Sequence, residues 1–306
     1  MNQHDSFTYQ TKGLTMFKND LLKNKRILIT GGGSGLGKEI AARYLELGAD
    51  LYICGRRESV LRETADELMG RFGGSVKSVA VDIRSAEAVD QMIDDIWKEG
   101  PLTGLVNNAA GNFVSRTEDL SSRGFDAIAN IVLHGTFYVT QSIGKRWIAG
   151  NLPGSVVSIL VTWVMNGGPF VVPSAMSKAG VNVMTKSLAV EWGRHHIRLN
   201  AIAPGVFPTE GMSKRLYPGR DDAGRAEGSS PMGRAGRMEE LQNLATFLMA
   251  DGCEWLTGQT LTIDGANSLA TGGNFYHFKD WTDSDWDLAR SSIREQNEKD
   301  RSARSV

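Results

Sequence analysis

The chain has 306 residues, 34 of them basic and 35 acidic, for a formal net charge of −1, and 41% of its residues are hydrophobic. That length suffices for one large α/β domain with a sizeable core, and the near-neutral balance argues against a nucleic-acid partner or an anionic membrane. Two cysteines occur, Cys54 and Cys253, far apart and without metal-ligand spacing, so neither a disulfide framework nor a metal site is expected, and no apolar run reaches the length of a membrane span. The opening MNQHDSFTYQTKG lacks a signal-peptide core and an Arg-rich transit pattern, and the closing RSARSV is not a peroxisomal address. A soluble cytoplasmic protein is the expectation.

Residues 1–20 read as an N-terminal extension; through residues 21–266 short apolar runs alternate with amphipathic stretches. The first strand, Arg26–Thr30, runs into TGGGSGLG (Thr30–Gly37) and then a helix. In that context glycines let the backbone approach a pyrophosphate at the helix N-terminus. The second strand, Asp50–Cys54, ends in Gly55-Arg56-Arg57. A dinucleotide fold that prefers NAD carries an acidic residue here for the ribose hydroxyls. Guanidinium groups suit a 2′-phosphate instead, so NADP(H) is the expected cofactor. ESVLRETADELMGRF then has helical apolar spacing, and a third strand, Val76–Val81, leads to Asp82, placed to accept from an adenine amino group.

Strand Gly104–Asn107 opens the run NNAAG (Asn107–Gly111). Long helices are expected over Gly124–Ala149 and Pro173–Trp192, and strands over Val156–Ile159 and Arg198–Ile202, the last followed by APG (Ala203–Gly205). Residues 209–236, rich in Gly, Arg and Ser, read as a mobile loop over a substrate, with a merely variable surface loop as the alternative. Thr260–Ile263 is the last strand. The tail 267–306 carries Phe275, Tyr276, Phe278, Trp281 and Trp286, and is expected to dock on its own domain or on a neighbouring subunit. Strands alternating with helices give the fold expectation: α/β, a Rossmann-type doubly wound parallel sheet of about seven strands with helices on both faces.

Taken in order, TGGGSGLG, the VDIR around Asp82, NNAAG, the lysine helix and APG resemble the short-chain dehydrogenase/reductase family over most of the chain. The resemblance implies one Rossmann-type domain, a nicotinamide cofactor, and a homotetramer packed through the two long helices. The family carries Tyr-x-x-x-Lys; the tyrosine hydroxyl exchanges the substrate proton, while the lysine lowers its pKa and holds the nicotinamide ribose. Here the segment reads Ser174-Ala175-Met176-Ser177-Lys178, with the lysine kept and the tyrosine absent, and Val132 of NIVLHG stands where the family has an asparagine. Alcohol–ketone exchange has thereby lost its acid and part of its relay, and the Ser174 hydroxyl has too high a pKa to replace them.

One branch of the family shows this departure. NNAAGNF, FVVPSAMSKAG, SLAVEWG and the late GGNF resemble the 2,4-dienoyl-CoA reductases, the mitochondrial type above all, from about Leu21 to about Glu295. That branch reduces a conjugated dienoyl thioester with NADPH: hydride attacks the distal end of the diene and charge spreads onto the thioester oxygen. The site then needs a donor at that oxygen and a proton at a carbon. Matched position by position, Gly31, Gly33, Ser34, Gly35, Leu36, Arg56, Asp82 and Lys178 are cofactor contacts, and Pro204, Gly205 and Phe207 belong to the loop against the nicotinamide. Asn112 matches an asparagine that bonds the thioester oxygen or orients a water, and Ser174 matches the branch's serine. Arg84, Phe113, Ser121 and Arg215 match positions that bind the acyl-CoA.

The branch's own catalytic tyrosine falls on Trp163, whose indole N–H donates a hydrogen bond but delivers no proton near neutral pH. The aspartate that the peroxisomal type uses falls on Val132. Three readings stay open. The first is a reductase of conjugated acyl-CoA in which Asn112 with a water, or Trp163, stabilises the enolate and solvent supplies the proton. The second is a reductase of a bulkier, ring-containing acyl-CoA from sterol or aromatic catabolism, with Trp163 as an apolar wall. The third is a catalytically impaired NADP-binding pseudo-enzyme. His134 reads as a helix-side polar group, with a place in the site as the alternative.

Overall fold

This computed structural model describes residues 16–209, 230–270 and 276–303. The elements run β1 (Arg26–Thr30), α1 (Gly35–Glu46), β2 (Asp50–Gly55), α2 (Glu58–Phe72), β3 (Val76–Ala80), α3 (Ala86–Lys98), β4 (Gly104–Asn107), α4 (Ser122–Ala129), α5 (Thr136–Ala149), β5 (Gly154–Ile159), α6 (Trp163–Asn166), α7 (Val172–Trp192), β6 (Ile197–Pro204), α8 (Met238–Met249) and β7 (Thr260–Ile263). All seven strands pair in parallel, in the order β3-β2-β1-β4-β5-β6-β7. Strand order reverses where β1 pairs with β4, Ile27 opposite Gly104. At such a switch point the loops leaving the strand ends diverge and open a crevice. The Rossmann-type doubly wound sheet expected from the alternation is the fold.

Each central strand is covered on both faces, which is why it reads as an unbroken apolar run. Ile27 and Ile29 of β1 enter one core with Ile40, Leu61 and Leu248 from α1, α2 and α8. Leu28 enters the other, with Ile93, Ile143 and Ala189 from α3, α5 and α7. Cys54 is buried in this second core, and both cysteines are free. No helix among the described residues is long and apolar enough to cross a membrane.

Several boundaries differ from the sequence reading; by one residue each, β2 ends later, at Gly55, β3 ends earlier, at Ala80, and α7 starts earlier, at Val172. β5 starts two residues early, at Gly154, which pairs with Ile197; the Trp147 indole lies so close that a Cβ there would sit 2.6 Å from its ring. β6 runs on to Pro204, whose missing N–H is tolerated at a strand end, opposite Ile263. The expected single helix over Gly124–Ala149 is interrupted by a π turn, Asn130–Gly135. That wider turn leaves Val132 wholly buried while Ile131 reaches the crevice, and it brings Gly135 onto Ile83, where a Cβ would lie 2.7 Å away.

Thr282 caps the C-terminal helix Asp283–Ala303: its N–H donates to Asp285 Oδ2 at 2.8 Å, and its Oγ1 accepts from Asp285 N at 3.4 Å. Phe278 and Trp281, in front of that helix, and Trp286 in its first turn pack on one another, with ring centroids 4.0, 4.8 and 5.9 Å apart. Phe275, the side chain of Tyr276 and most of the loop 209–236 lie outside the described residues.

Candidate active site

The floor of the crevice is built from two loops locked together. The Thr30 hydroxyl, at the end of β1, donates to the Val106 carbonyl at 3.4 Å and accepts from the N–H groups of Asn108 and Ala109, each at 3.0 Å. The Asn108 amide donates in turn to the carbonyls of Thr30 at 3.1 Å and Gly31 at 3.2 Å. Gly31 turns at φ 66°, and Gly37 lies so near that a Cβ would sit 2.4 Å from Asn108 Nδ2. Ser34 begins α1 without a side-chain cap, so the first N–H groups of the helix remain available to a phosphate.

Above this floor is a crevice of about 820 Å³. Gly31, Gly33, Ser34, Gly35, Leu36, Arg56 and Asp82 line one half of it, the half that the sequence reading assigns to the nucleotide. Arg57 lines it too and donates to Ser34 Oγ at 3.4 Å. Both guanidinium groups are exposed. Arg84 grips Asp82: its Nε lies 2.9 Å from each carboxylate oxygen and its Nη2 lies 2.6 Å from one. These bonds hold the Asp82 carboxyl below the usual carboxylate range, with the charge of Arg56 a smaller contribution. A glycine cradle that a Cβ would fill and open helix N–H groups fit a nicotinamide dinucleotide, and two exposed arginines stand at the end of β2.

Asn112, Trp163, Ser174 and Lys178 line the other half. Lys178 is buried in α7 and donates to the Ile159 carbonyl at the end of β5; burial pushes its pKa down to about 8. Ser174 is buried one helical turn before it. Asn112 Oδ1 accepts from Phe113 N–H at 2.9 Å, which fixes the amide with Nδ2 left as a donor. Trp163 opens α6, and its ring lies against Gly168, where a Cβ would be 2.8 Å from Cγ. Ile128, Ile131, Leu160 and Val161 supply apolar wall.

Other expected residues stand elsewhere. Phe207 is buried beneath Gly236 and borders a separate cavity of about 130 Å³ with Ser230 and Met232. Gly205 backs onto Asp264, and Pro204 closes β6. Phe113 packs toward Gly124, and Ser121 Oγ accepts from Gly124 N–H at 3.1 Å, capping α4. Arg215 lies outside the described residues. His134 is exposed and bonded to Asn130 Oδ1 at 2.9 Å, away from the crevice. Among the described residues no cluster of His, Cys, Asp and Glu could hold a metal.

The sequence reading missed Asn108, Ile128, Ile131 and Leu160. Asn108 carried a signal, as the second asparagine of NNAAG. The apolar three did not, because residues at strand and helix ends look alike whether they face a core or a crevice.

A family model described as enoyl-(acyl carrier protein) reductase matches residues 31–266. A Caenorhabditis elegans protein described as a probable 2,4-dienoyl-CoA reductase producing (3E)-enoyl-CoA is 40% identical over 294 residues, covering 94% of each chain. A Bacillus subtilis protein described as a probable 2,4-dienoyl-CoA reductase producing (2E)-enoyl-CoA is 39% identical, over 81% of this chain and 98% of its own. Among solved structures, a short chain dehydrogenase from Bacillus anthracis superposes with a TM-score of 0.73 at 41% identity, covering 79% of this chain and 96% of that one.

Proposed function

Since the chain belongs to the short-chain dehydrogenase/reductase family, we propose that it is an NADPH-dependent reductase of conjugated acyl-CoA thioesters, 2,4-dienoyl-CoA or a related unsaturated acyl-CoA, acting on a CH–CH group. One observation carries the reading: Lys178, a serine in place of the family's tyrosine, and the donor amide of Asn112 share one crevice. Among the described residues no hydroxyl of tyrosine-like acidity lines the crevice to serve a carbonyl carbon, whereas fixed N–H donors suit an oxygen that gains charge in the transition state. The relatives described as 2,4-dienoyl-CoA reductases support the same conclusion.

In this reading the α1 N-terminus and glycine loop hold the pyrophosphate, Arg56 and Arg57 the 2′-phosphate, Asp82 the adenine amino group, and Lys178 the nicotinamide ribose. Bound NADPH supplies the hydride. Asn112 Nδ2 and the Trp163 indole N–H donate to the thioester oxygen as it takes up negative charge. Ile128, Ile131, Leu160 and Val161 shield the conjugated carbons, and a water at the crevice mouth supplies the proton at carbon. Met176, Val183 and Val190 stand exposed seven residues apart along α7, with Phe137 exposed on α5. A second copy covering that stripe accounts for it, and a homotetramer is the expected assembly.

NADPH consumption tests the reading. Turnover that requires a conjugated acyl-CoA, and that falls about 100- to 1,000-fold in Asn112→Ala with NADPH affinity unchanged, supports it. Turnover of free ketones, or stabilisation by NADPH without any turnover, overturns it.

A further inference from the structure

The loop that follows β3 is held by its own backbone and by one buried side chain. Val81 N–H donates to the Gly55 carbonyl at 2.8 Å, and Ser85 N–H donates to the Asp82 carbonyl at 3.1 Å. Ile83 between them is buried against Gly135 of the π turn, where a Cβ would lie 2.7 Å from its side chain. The path of the loop does not need the Arg84 side chain, which is 42% exposed; a surface ion pair adds little to stability.

What that side chain does hold is the Asp82 carboxylate. Its Nε lies 2.9 Å from each oxygen and its Nη2 2.6 Å from Oδ2, while Arg84 N–H donates to Oδ1 at 3.1 Å. An aspartate carboxylate otherwise turns readily about its last bond; a planar fork fixes that rotation, which a point charge does not. An ionised carboxylate offers about four lone-pair sites, and the three N–H groups of Arg84 leave about one of them for a ligand. Among the described residues Asp82 lines the crevice and Arg84 does not. A carboxylate only accepts, so it selects a donor, and on an adenine ring the exocyclic amine is the donor while the ring nitrogens accept.

We infer that Arg84 is a positioning residue for the nucleotide: it aims the open oxygen site of Asp82 at the exocyclic amine of adenine, so that the protein prefers a dinucleotide carrying adenine to one carrying hypoxanthine, in which a carbonyl replaces that amine. This rests on the reading above that puts the adenine at Asp82. It gives Arg84 a part other than the acyl-CoA contact expected from the resemblance.

The test is isothermal titration with NADPH and with its hypoxanthine analogue, using the parent, Arg84→Met, Arg84→Lys, Asp82→Ala and the double variant. The parent is expected to bind NADPH at least about tenfold more tightly than the analogue, whose carbonyl would face a carboxylate. Arg84→Met loses the fork and should bring the two nucleotides within about threefold, through weaker NADPH binding, with Arg84→Lys in between. In the Asp82→Ala background the further loss of Arg84 should change NADPH affinity less than about twofold, because the residue acts through Asp82. The free variants should melt within about 2 °C of the parent. A parent preference below about twofold overturns the inference. So does an equal loss for both nucleotides in Arg84→Met, the mark of a general charge effect or a disturbed loop. A loss that survives in the Asp82→Ala background overturns it too, since it puts the guanidinium on the ligand itself. Should NADH bind more tightly than NADPH, or no acyl-CoA be reduced, while the adenine preference still depends on Arg84, the proposed cofactor or reaction falls and the positioning role stands.

Discussion

Gly37→Ala probes the lock beneath the nucleotide half of the crevice. The added Cβ would stand 2.4 Å from Asn108 Nδ2 and 2.6 Å from the Gly31 carbonyl oxygen, about 1 Å inside an ordinary contact. The backbone oxygen cannot retreat without moving Gly31, so the Asn108 side chain must swing away. It then loses its bonds to the Thr30 and Gly31 carbonyls. Two hydrogen bonds at about 1 kcal/mol each, plus overpacking of about 1–3 kcal/mol, give a destabilisation of about 3–5 kcal/mol. For a domain of this size the melting temperature should fall by about 6–20 °C. NADPH affinity should fall at least about tenfold, because the loop that meets the pyrophosphate has shifted. Gly70→Ala is the control: it lies in α2 with nothing within 4 Å of its would-be Cβ, and should stabilise by about 0.5–1 kcal/mol. Differential scanning fluorimetry and isothermal titration of both variants decide the matter. A Gly37→Ala protein that melts within about 2 °C of the parent and binds NADPH normally would refute the claim that the Asn108 lock positions the loop.

Arg56→Asp should raise the KM for NADPH about tenfold or more while leaving NADH unchanged or improved, since a charge-assisted contact to the 2′-phosphate is replaced by repulsion. Equal effects on both cofactors in steady-state assays would show that Arg56 does not read the phosphate. The folded-state pKa of Lys178 is lowered from 10.5 to about 8, so between those values the unfolded chain binds more protons and this residue favours folding increasingly as pH rises. In urea titrations without cofactor, the stability of the parent relative to Lys178→Met should therefore improve from pH 7 to pH 10; a constant difference contradicts the burial of the ammonium. Hydrogen bonds from Arg234, at 2.7 Å and 2.9 Å, hold Glu240 down to about 2, and its stabilisation is present above its ordinary 4.5 and lost as pH falls through about 2. Glu240→Gln should cost about 1–2 kcal/mol at pH 7 after allowance for partial exposure, and nothing near pH 2; an equal cost at both would assign the effect to packing.

The alternation of buried strands and amphipathic helices was legible because a sheet covered on both faces needs short apolar runs, and turn residues bound them. Arg26–Thr30, Gly104–Asn107 and Thr260–Ile263 agree with the structure to the residue. Gly154 misleads because glycine normally weakens a strand; only the Trp147 ring packed on it explains its place. The π turn is silent in the pattern, since it leaves the apolar spacing of NIVLHG nearly helical, yet it decides that Ile131 and not Val132 meets the crevice. The glycine loop, Arg56 and Lys178 were readable from residue type and position after a strand or within a helix. The grip of Arg84 on Asp82 was not, because a loop conformation two residues long leaves no periodic trace. Whether Phe207 faces ligand or core is decided by Gly236, distant in sequence, and so is also absent from any local pattern.

The central claim is that reduction takes place on the conjugated carbons of an acyl thioester. The most direct measurement runs the reaction with NADPH deuterated at the transferable position of the nicotinamide and a 2,4-dienoyl-CoA, and locates the label in the product by mass spectrometry and NMR. The account predicts one deuterium at the distal alkene carbon, with the thioester intact and a single isolated double bond remaining. Deuterium on a carbinol carbon, or none in any product, would contradict it.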